Sequence, residues 1–385
     1  MFYLNNYHID ILTRNVPCPI RLNVELTTNC NLKCVMCRGS QNYVEGNKAG
    51  RHLTVEDFAR ILNGIDLNRL KVLNLAGSAE SLLNPDILPI LALCRENKII
   101  VELITNGMLL TPQISKQLIG YSSEIHVSFG GSRRETFEAI RQGADFELIC
   151  KNIKTLSKLK KENNQRYPQI WINPILMKRN IQELPEVIAL AKELDCHGVA
   201  CSHLIVDSPE LIRESLFFHK QEANHYLQKA EEVAKRDQIS FVRPAYFSQE
   251  SDDDGKRETI EAWKTCRFLW NYAILGVEGL IPCSGSGDLK LDCDGNVIRN
   301  KFMDIWNNGW YAGMRYKLLT GNPPQCCINC TDPSVKDPNH IGSYFKEEVF
   351  SDAFDYAKKE LTRSQKGEFD QRECSVLSSN EHISG

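Results

Sequence analysis

The chain has 385 residues, which predicts two or more domains, because most domains contain about 100–200 residues. A hydrophobic fraction of 42% and a charged fraction of 25% are ordinary for a soluble globular protein, and a net charge of −3 argues against a basic nucleic-acid-binding surface. No apolar run approaches the roughly 20 residues that span a bilayer, and the first residues lack the features of a signal peptide. We therefore expect a cytoplasmic protein with no nucleic-acid or membrane partner.

Short apolar runs alternate with amphipathic segments from about residue 20 to residue 245. The runs predict strands over 20–26, 72–75, 99–104, 124–129, 169–176 and 198–204. The segments between them predict helices over 54–65, 88–96, 111–118, 134–142, 146–161 and 181–194, the first beginning at Thr54. A longer helix is expected over 217–236, followed by a strand over 239–247. Repeated strand–helix units predict an α/β fold with a parallel sheet and right-handed crossovers.

Directly after the first predicted strand, Cys30, Cys34 and Cys37 form the pattern C-x3-C-x2-C. Three thiolates on a four-iron cluster leave one iron open to a small molecule. Zinc normally takes four ligands, so a zinc site or three ordinary buried cysteines explain the spacing less well. Six further cysteines of the chain's fifteen fall near the C-terminus, and metal binding explains that clustering better than disulfides do.

The cysteine loop resembles the signature of the radical S-adenosylmethionine (SAM) superfamily. The resemblance implies a partial (β/α)6 barrel, with the chemistry at the carboxyl ends of its strands. It also implies a 4Fe–4S cluster on Cys30, Cys34 and Cys37 that holds SAM and cleaves it with one electron. Such an enzyme needs an electron donor such as a flavodoxin or ferredoxin.

Two strand-end segments resemble parts of the family's SAM pocket. Residues 77–83 look like its Gly-Gly-Glu-Pro segment. Ser78 and Ala79 replace the two glycines of that motif, and Glu80 keeps its carboxylate. The resemblance implies that this segment touches the SAM amino group. Thr105 and Asn106 begin a Thr-Asn-Gly turn of the kind that lies near the bound nucleoside, although a plain strand-to-helix turn would also use these residues.

The later strand ends carry three more candidates for SAM binding. Ser128 stands where relatives have a serine, whereas Gly130 replaces the family's aspartate two residues on. Arg141 matches an arginine that can pair with the SAM carboxylate through two hydrogen bonds, the alternative being a surface arginine. His203, after the sixth strand, is expected to face the same rim or to be structural.

The C-terminal cysteines resemble those of the SPASM/Twitch extension of the superfamily, a small cysteine-rich α+β unit. The resemblance implies one auxiliary 4Fe–4S cluster on Cys266, Cys283, Cys327 and Cys330, because too few cysteines are present for two. Cys326 can replace Cys327 as a ligand or present a thiol, and the role of Cys293 stays open. Zinc on the same four thiolates is the alternative.

These assignments divide the chain into five parts. They are an N-terminal segment (1–19), a radical SAM barrel (20–248), a linker (249–262), an auxiliary-cluster unit (263–345), and a C-terminal helix with a disordered tail (346–385). The first strand is predicted to start at residue 20, which leaves no room for the peptide-recognition domain that peptide maturases append. We therefore expect a small-molecule substrate.

Three other functions stay open. Adjacent cysteines in the auxiliary unit suit a thiophilic substrate such as trivalent arsenic, which would receive the aminocarboxypropyl arm of SAM. A peptide maturase is the second, and an iron–sulfur electron carrier or redox sensor is the third. The carrier would not explain the open coordination site or the strand-end matches.

Overall fold

The computed structural model describes residues 12–37, 50–247, 266–283, 291, 294–328, 344–345, 349, 352 and 356. The predicted linker and nearly all of the predicted tail lie outside these residues. Within them, no helix is long and apolar enough to cross a membrane.

The described part contains strands and helices in the alternation that the sequence predicts. The strands are β1 (Arg21–Val24), β2 (Lys33–Cys34), β3 (Val72–Leu75), β4 (Ile100–Thr105), β5 (Ser122–Phe129), β6 (Arg141–Gln142), β7 (Gln169–Leu176), β8 (Gly198–Ala200), β9 (Ser202–His203), β10 (Ser240–Val242), β11 (Tyr272–Gly276) and β12 (Gly279–Ile281). The α-helices are α1 (Val55–Asn63), α2 (Ile87–Glu96), α3 (Pro112–Leu118), α4 (Arg134–Ile140), α5 (Phe146–Glu162), α6 (Leu184–Glu193), α7 (Lys220–Asp237), α8 (Phe302–Trp306), α9 (Gly309–Leu319) and α10 (Gln325–Ile328).

The main sheet has the order β10-β8-β7-β5-β4-β3-β1-β11-β12, and β9 pairs with β7. Every pairing in it is parallel except that of β11 with β12. The prediction of a mixed α/β fold with a parallel sheet is confirmed. Because the strands run in the same direction, their carboxyl ends meet at one edge, where the cysteine loop begins.

Several element boundaries differ from the predictions. The expected strand over 239–247 is only Ser240–Val242, and the expected strand over 198–204 is divided into β8 and β9. The expected helix over 181–194 begins as a 3-10 turn, Ile181–Glu183, before α6. Thr54 begins α1 as predicted, since its hydroxyl accepts a hydrogen bond from Asp57 N at 3.2 Å.

The two faces of the main sheet differ in polarity. On β1, Leu22 and Val24 are fully buried in the core that the helices cover, whereas Asn23 between them is partly exposed on the opposite face. We call this opposite face the inner face. The same alternation on β5 buries Ile125 and Val127. Successive side chains of a strand point to opposite faces, so a polar residue between two core residues lies on the inner face.

The C-terminal hairpin extends the same sheet. β11 pairs with β1 in parallel, placing Tyr272 opposite Arg21. Gly279, in the turn of the hairpin, has φ of +140°, and a Cβ there would lie 2.2 Å from the Gly295 carbonyl oxygen, so only glycine fits. Behind the hairpin, Arg315 is fully buried and its guanidinium donates to the Thr13 and Leu269 carbonyl oxygens.

Candidate functional site

The cysteine loop is held against the sheet by a short antiparallel pairing. β2 pairs with β6, so that Cys34 lies opposite Arg141. One residue further along, Val35 N donates to the Ile140 carbonyl oxygen at 3.0 Å. Cys37 N donates to the Cys34 carbonyl oxygen at 3.1 Å, which closes a turn between these two cysteines. The pairing therefore fixes the loop to the segment that follows α4.

The thiols of the loop differ in burial. Cys30 is exposed, and Cys34 and Cys37 are partly buried. Burial raises the pKa of the Cys34 thiol. Within the described ranges, no three His, Cys, Asp or Glu side chains are grouped as a single metal ion would require. A cluster would bind the three thiols as thiolates.

Arg141 lies beside the loop and is only 6% exposed. Its Nη1 is 3.7 Å from Cys34 Sγ, and its Nη2 donates to the Phe129 carbonyl oxygen at 3.2 Å. Its Nε is buried and has no hydrogen-bond partner among the described residues. Burial lowers the pKa of Arg141, while the nearby thiols act in the opposite direction. A buried cation with an unused donor next to three thiols fits a site that holds an anionic iron–sulfur cluster.

Glu80 is the centre of a hydrogen-bond network and is only 2% exposed. Its Oε1 accepts from Thr105 Oγ1 at 2.8 Å and from Leu82 N at 3.2 Å, and its Oε2 accepts from Asn106 N at 2.6 Å. Burial raises the pKa of the Glu80 carboxyl, and this effect is larger than the opposing effect of the three hydrogen bonds. The carboxylate predicted to lie at the SAM pocket therefore ties the end of β3 to the end of β4.

The same network reaches the cysteine loop on both sides of Cys30. Glu80 N donates to the Asn29 carbonyl oxygen at 3.0 Å. Asn106 Nδ2 donates to Asn31 Oδ1 at 2.7 Å. Three segments that the sequence proposed separately are thus joined by hydrogen bonds at one edge of the sheet.

Ser78 lies at the same edge but is exposed. Its backbone N donates to Glu25 Oε1 at 2.8 Å. A Cβ at Gly77 would lie 2.7 Å from the Glu25 side chain, so glycine permits this close approach. Burial raises the pKa of the Glu25 carboxyl, and no described residue makes an ion pair with it. Glu25 is therefore a carboxylate on the inner face with one oxygen turned to the Ser78 loop.

Ser128 lies on the inner face between Val127 and Phe129, both fully buried on the other side. It is in register with Asn173 of the neighbouring strand β7. Two residues on, a Cβ at Gly130 would lie 3.1 Å from the Phe137 carbonyl oxygen. Because α4 approaches this closely, there is little space for a side chain at position 130, which explains the glycine where the family has an aspartate.

A second polar group lies on the inner face below Ser128. The two ring nitrogens of His126 are 3.1 Å from Asn173 Oδ1 and 3.0 Å from Glu124 Oε2. The His126 ring is stacked on Trp171, with centroids 6.1 Å apart. Trp171 Nε1 is buried and has no hydrogen-bond partner among the described residues. These side chains form a polar and aromatic wall on the inner face.

His203 does not lie with the other candidates, and we withdraw it from the site. β9 pairs with β7 so that His203 is opposite Leu176, a residue of the helix-covered core. The His203 ring is 4.5 Å from the Phe247 ring and 5.8 Å from the Tyr344 ring, between centroids. The expectation that it faces the rim is wrong because a side chain on a strand shares the face of the residue paired with it.

Three of the predicted auxiliary ligands are described. Cys266, Cys283 and Cys327 are partly buried; the first two flank the β11–β12 hairpin, and Cys327 lies in α10. Cys330 and Cys293 lie outside the described residues, as does the side chain of Cys326.

A family model described as the Radical SAM superfamily matches residues 24–191. The chain contains a radical SAM domain. The matched region begins at the end of β1 and reaches into α6, so it includes the cysteine loop, Glu80 and Arg141. A radical SAM domain implies a 4Fe–4S cluster and SAM as cofactors.

Relatives of this radical SAM enzyme cover most of its length. The AdoMet-dependent heme synthase of Methanosarcina barkeri is 28% identical over 304 residues, 74% of this chain and 81% of that protein. The tungsten-containing aldehyde ferredoxin oxidoreductase cofactor-modifying protein of Pyrococcus furiosus is 23% identical over 330 residues, 82% of this chain and 87% of that protein.

The radical SAM fold is also found in a solved structure, that of SuiB from Streptococcus suis bound to S-adenosylmethionine. The TM-score is 0.61 at 17% identity, and the match covers 80% of this chain and 70% of SuiB. At this identity the likeness concerns the fold.

Sequence reasoning missed several inner-face residues of the radical SAM domain. Glu25, His126 and Trp171 are the clearest cases, together with Asn74, whose Oδ1 is buried without a partner among the described residues. A signal was present, since Asn23 and Glu25 alternate with apolar residues on β1, and Glu124, His126 and Ser128 do so on β5. When polar and apolar residues alternate along a strand whose apolar side is covered by helices, the polar residues lie on the face turned away from the helices.

Proposed function

We propose that this radical SAM enzyme binds its cluster through Cys30, Cys34 and Cys37 and modifies a small polar molecule. The observation that carries the proposal is the hydrogen-bond network that joins both flanks of Cys30 to Glu80 and Asn106. When bound, the cluster and SAM would supply radical chemistry for the abstraction of hydrogen from the substrate. The side chains of the chain bind, orient and shield the reactants.

Each side chain of the proposed site has a separate task. Glu80 holds Thr105 and Asn106 in place, and Ser78 and Ser128 offer hydroxyl groups at the strand ends to SAM. Arg141 holds the loop through its contacts with Cys34 Sγ and the Phe129 carbonyl oxygen. A cluster held by three thiolates would keep one iron open to SAM.

We assign the substrate to the inner face. His126 and Asn173 offer positioned hydrogen-bonding groups there, and Trp171 and Asn74 carry buried polar atoms without described partners. A buried polar group without a hydrogen-bond partner lowers stability. A bound substrate would supply the missing partners for these atoms. Relatives named for heme synthesis and for cofactor modification agree with a small-molecule substrate.

The proposal includes an auxiliary cluster on Cys266, Cys283, Cys327 and Cys330. Support comes from the β11–β12 hairpin, which lies between the first two ligands and pairs with β1. A flavodoxin or ferredoxin would deliver the electron. A peptide substrate remains the second candidate function, since SuiB, which shares the fold, has been solved with a precursor peptide.

The test begins with iron analysis after anaerobic reconstitution. The protein should hold about eight irons, four for each cluster, and the variant with Cys30, Cys34 and Cys37 replaced by alanine should hold roughly four. That variant should no longer cleave SAM. As a control, Cys94→Ala alters a fully buried core cysteine and should leave the iron content unchanged. A triple variant that keeps all its iron would refute the assignment.

The product of SAM cleavage tests the type of reaction. We expect 5′-deoxyadenosine after reduction with dithionite. Methylthioadenosine, with activity lost in Cys326→Ser, would instead indicate transfer of the aminocarboxypropyl arm to a thiophilic substrate. The absence of any cleavage product from fully loaded protein would favour an electron carrier.

A further inference from the structure

Arg141 is a buried cation without a carboxylate partner among the described residues. It is 6% exposed, and no described residue makes an ion pair with it. The neighbours that become anionic when they ligate a cluster are the thiols of Cys34, Cys37 and Cys30, in that order of influence on its charge. An isolated charge in the interior costs several kcal/mol, so a compensating charge is expected close by.

The guanidinium is held in one position by three features. Its Nη2 donates to the carbonyl oxygen of Phe129 at the end of β5, and its Nη1 faces Cys34 Sγ at 3.7 Å. The backbone of Arg141 is paired with that of Cys34 through β6 and β2. Because side chain and backbone are both fixed to the cysteine loop, Arg141 stays beside Cys34 and does not extend along the strand ends.

We propose that Arg141 is the fixed counter-charge of the SAM-binding cluster and raises its reduction potential. The inference rests on the proposed function, in which Cys34 is a cluster ligand. Adding an electron makes the cluster and its thiolates more negative, so a cation at this distance stabilises the reduced form more than the oxidised form. Burial removes the screening that salt exerts on exposed charges. Charge and hydrogen bonds at the sulfurs are established determinants of cluster potential.

This role differs from the one that resemblance suggests, a pairing of Arg141 with the SAM carboxylate. The two roles predict different measurements. A counter-charge changes the potential of the cluster before SAM is added, whereas a SAM ligand changes the SAM dissociation constant and leaves that potential alone.

The experiment compares Arg141→Gln with Arg141→Lys in reconstituted full-length protein. Midpoint potentials are determined without SAM by electron paramagnetic resonance at a series of poised potentials, and the SAM-binding cluster is identified as the signal absent from the variant lacking Cys30, Cys34 and Cys37. In Arg141→Gln, the ratio of reduced to oxidised cluster at a given potential should fall at least tenfold, which is about 59 mV for one electron. Arg141→Lys, which keeps the charge, should stay close to the wild type.

Each outcome decides the proposal. An unchanged midpoint potential in Arg141→Gln overturns it. The proposal is also overturned if Arg141→Lys lowers the potential as much as Arg141→Gln does. If Arg141→Gln loses the cluster while Arg141→Lys keeps it at the wild-type potential, the charge is required and the proposal stands. Loss of the cluster in both variants indicates a structural role and overturns it. A wild type that never assembles a cluster on these cysteines contradicts the proposed function instead.

Discussion

Glu80 shows how one side chain connects the parts of the site. Its carboxylate accepts from Thr105, Asn106 and Leu82, while its backbone N donates to Asn29 of the cysteine loop. Charge-assisted hydrogen bonds in a buried position are stronger than those between neutral groups. The residue therefore organises three segments without facing solvent.

Glu80→Gln should lower both stability and SAM affinity while the iron content stays the same. The glutamine amide nitrogen cannot accept a hydrogen bond, so a buried donor at Thr105 or Asn106 is left unpaired at a cost of about 2 kcal/mol. The free energy of unfolding of the apoprotein in urea measures the first effect, and titration with SAM the second, where we expect a roughly tenfold weaker dissociation constant. Glu96→Gln, at an exposed position of α2, is the control and should change neither.

The burial of Glu80 also predicts a dependence of stability on pH. Burial raises its pKa above the ordinary 4.5, so the folded state binds a proton more tightly than the unfolded state. The stabilising contribution is therefore complete below about pH 4.5 and is lost as the pH rises through the higher folded pKa. Unfolding free energies of apoprotein, measured from pH 5 upward, should fall less steeply in Glu80→Gln. An equally steep fall in both proteins would contradict this.

At the scale of the elements, α4 packs directly on the segment after β5. A Cβ at Gly130 would lie 3.1 Å from the carbonyl oxygen and 3.3 Å from the Cα of Phe137. The backbone carbonyl of Gly130 also accepts from Asn180 Nδ2 at 2.8 Å. This close packing holds the peptide next to Phe129, whose carbonyl oxygen binds Arg141.

Gly130→Asp, which restores the family's usual residue, should destabilise this protein. The new side chain meets backbone of α4, and overpacking of this kind costs about 1–3 kcal/mol. Thermal unfolding of the apoprotein measures the loss. Gly313→Asp is the matched control, because nothing lies within 4 Å of a Cβ at Gly313. A Gly130→Asp variant no less stable than that control would show that α4 moves aside without cost.

At the scale of the whole molecule, Arg315 joins the two ends of the described chain. It is fully buried, donates to the Thr13 and Leu269 carbonyl oxygens and to Asn307 Oδ1, and lies over the Trp306 ring. Burial lowers the pKa of Arg315 to about 10, so it stays charged near neutral pH. The N-terminal segment and the C-terminal helices thus share one buried cation.

Arg315→Met should lower the free energy of unfolding by about 3 kcal/mol or more. Two buried carbonyl oxygens lose their donor, and each unpaired group costs about 1–3 kcal/mol. Urea unfolding of the apoprotein is the measurement. Arg299→Met removes an exposed arginine of the same region and should leave stability unchanged. Equal stability of the two variants would contradict the anchoring role of Arg315.

The sequence alone determined the elements and the character of the chemistry. Local periodicity located the strands of the main sheet except β11 and β12, and the spacing of Cys30, Cys34 and Cys37 predicted a cluster. Both signals lie within short stretches of chain, where the side-chain pattern and the backbone geometry are directly related. The matches at Glu80 and Asn106 were likewise visible as local motifs, although their joint hydrogen bonds were not.

Only the tertiary structure decided which residues meet and which face each occupies. The pairing of β2 with β6 brings Arg141 to Cys34, and that of β9 with β7 turns His203 into the core. The parallel pairing of β11 with β1 joins segments far apart in sequence. Register decides these contacts, and a shift of one residue moves a side chain to the opposite face of the sheet. Register follows from the packing of the whole sheet, which no local pattern contains.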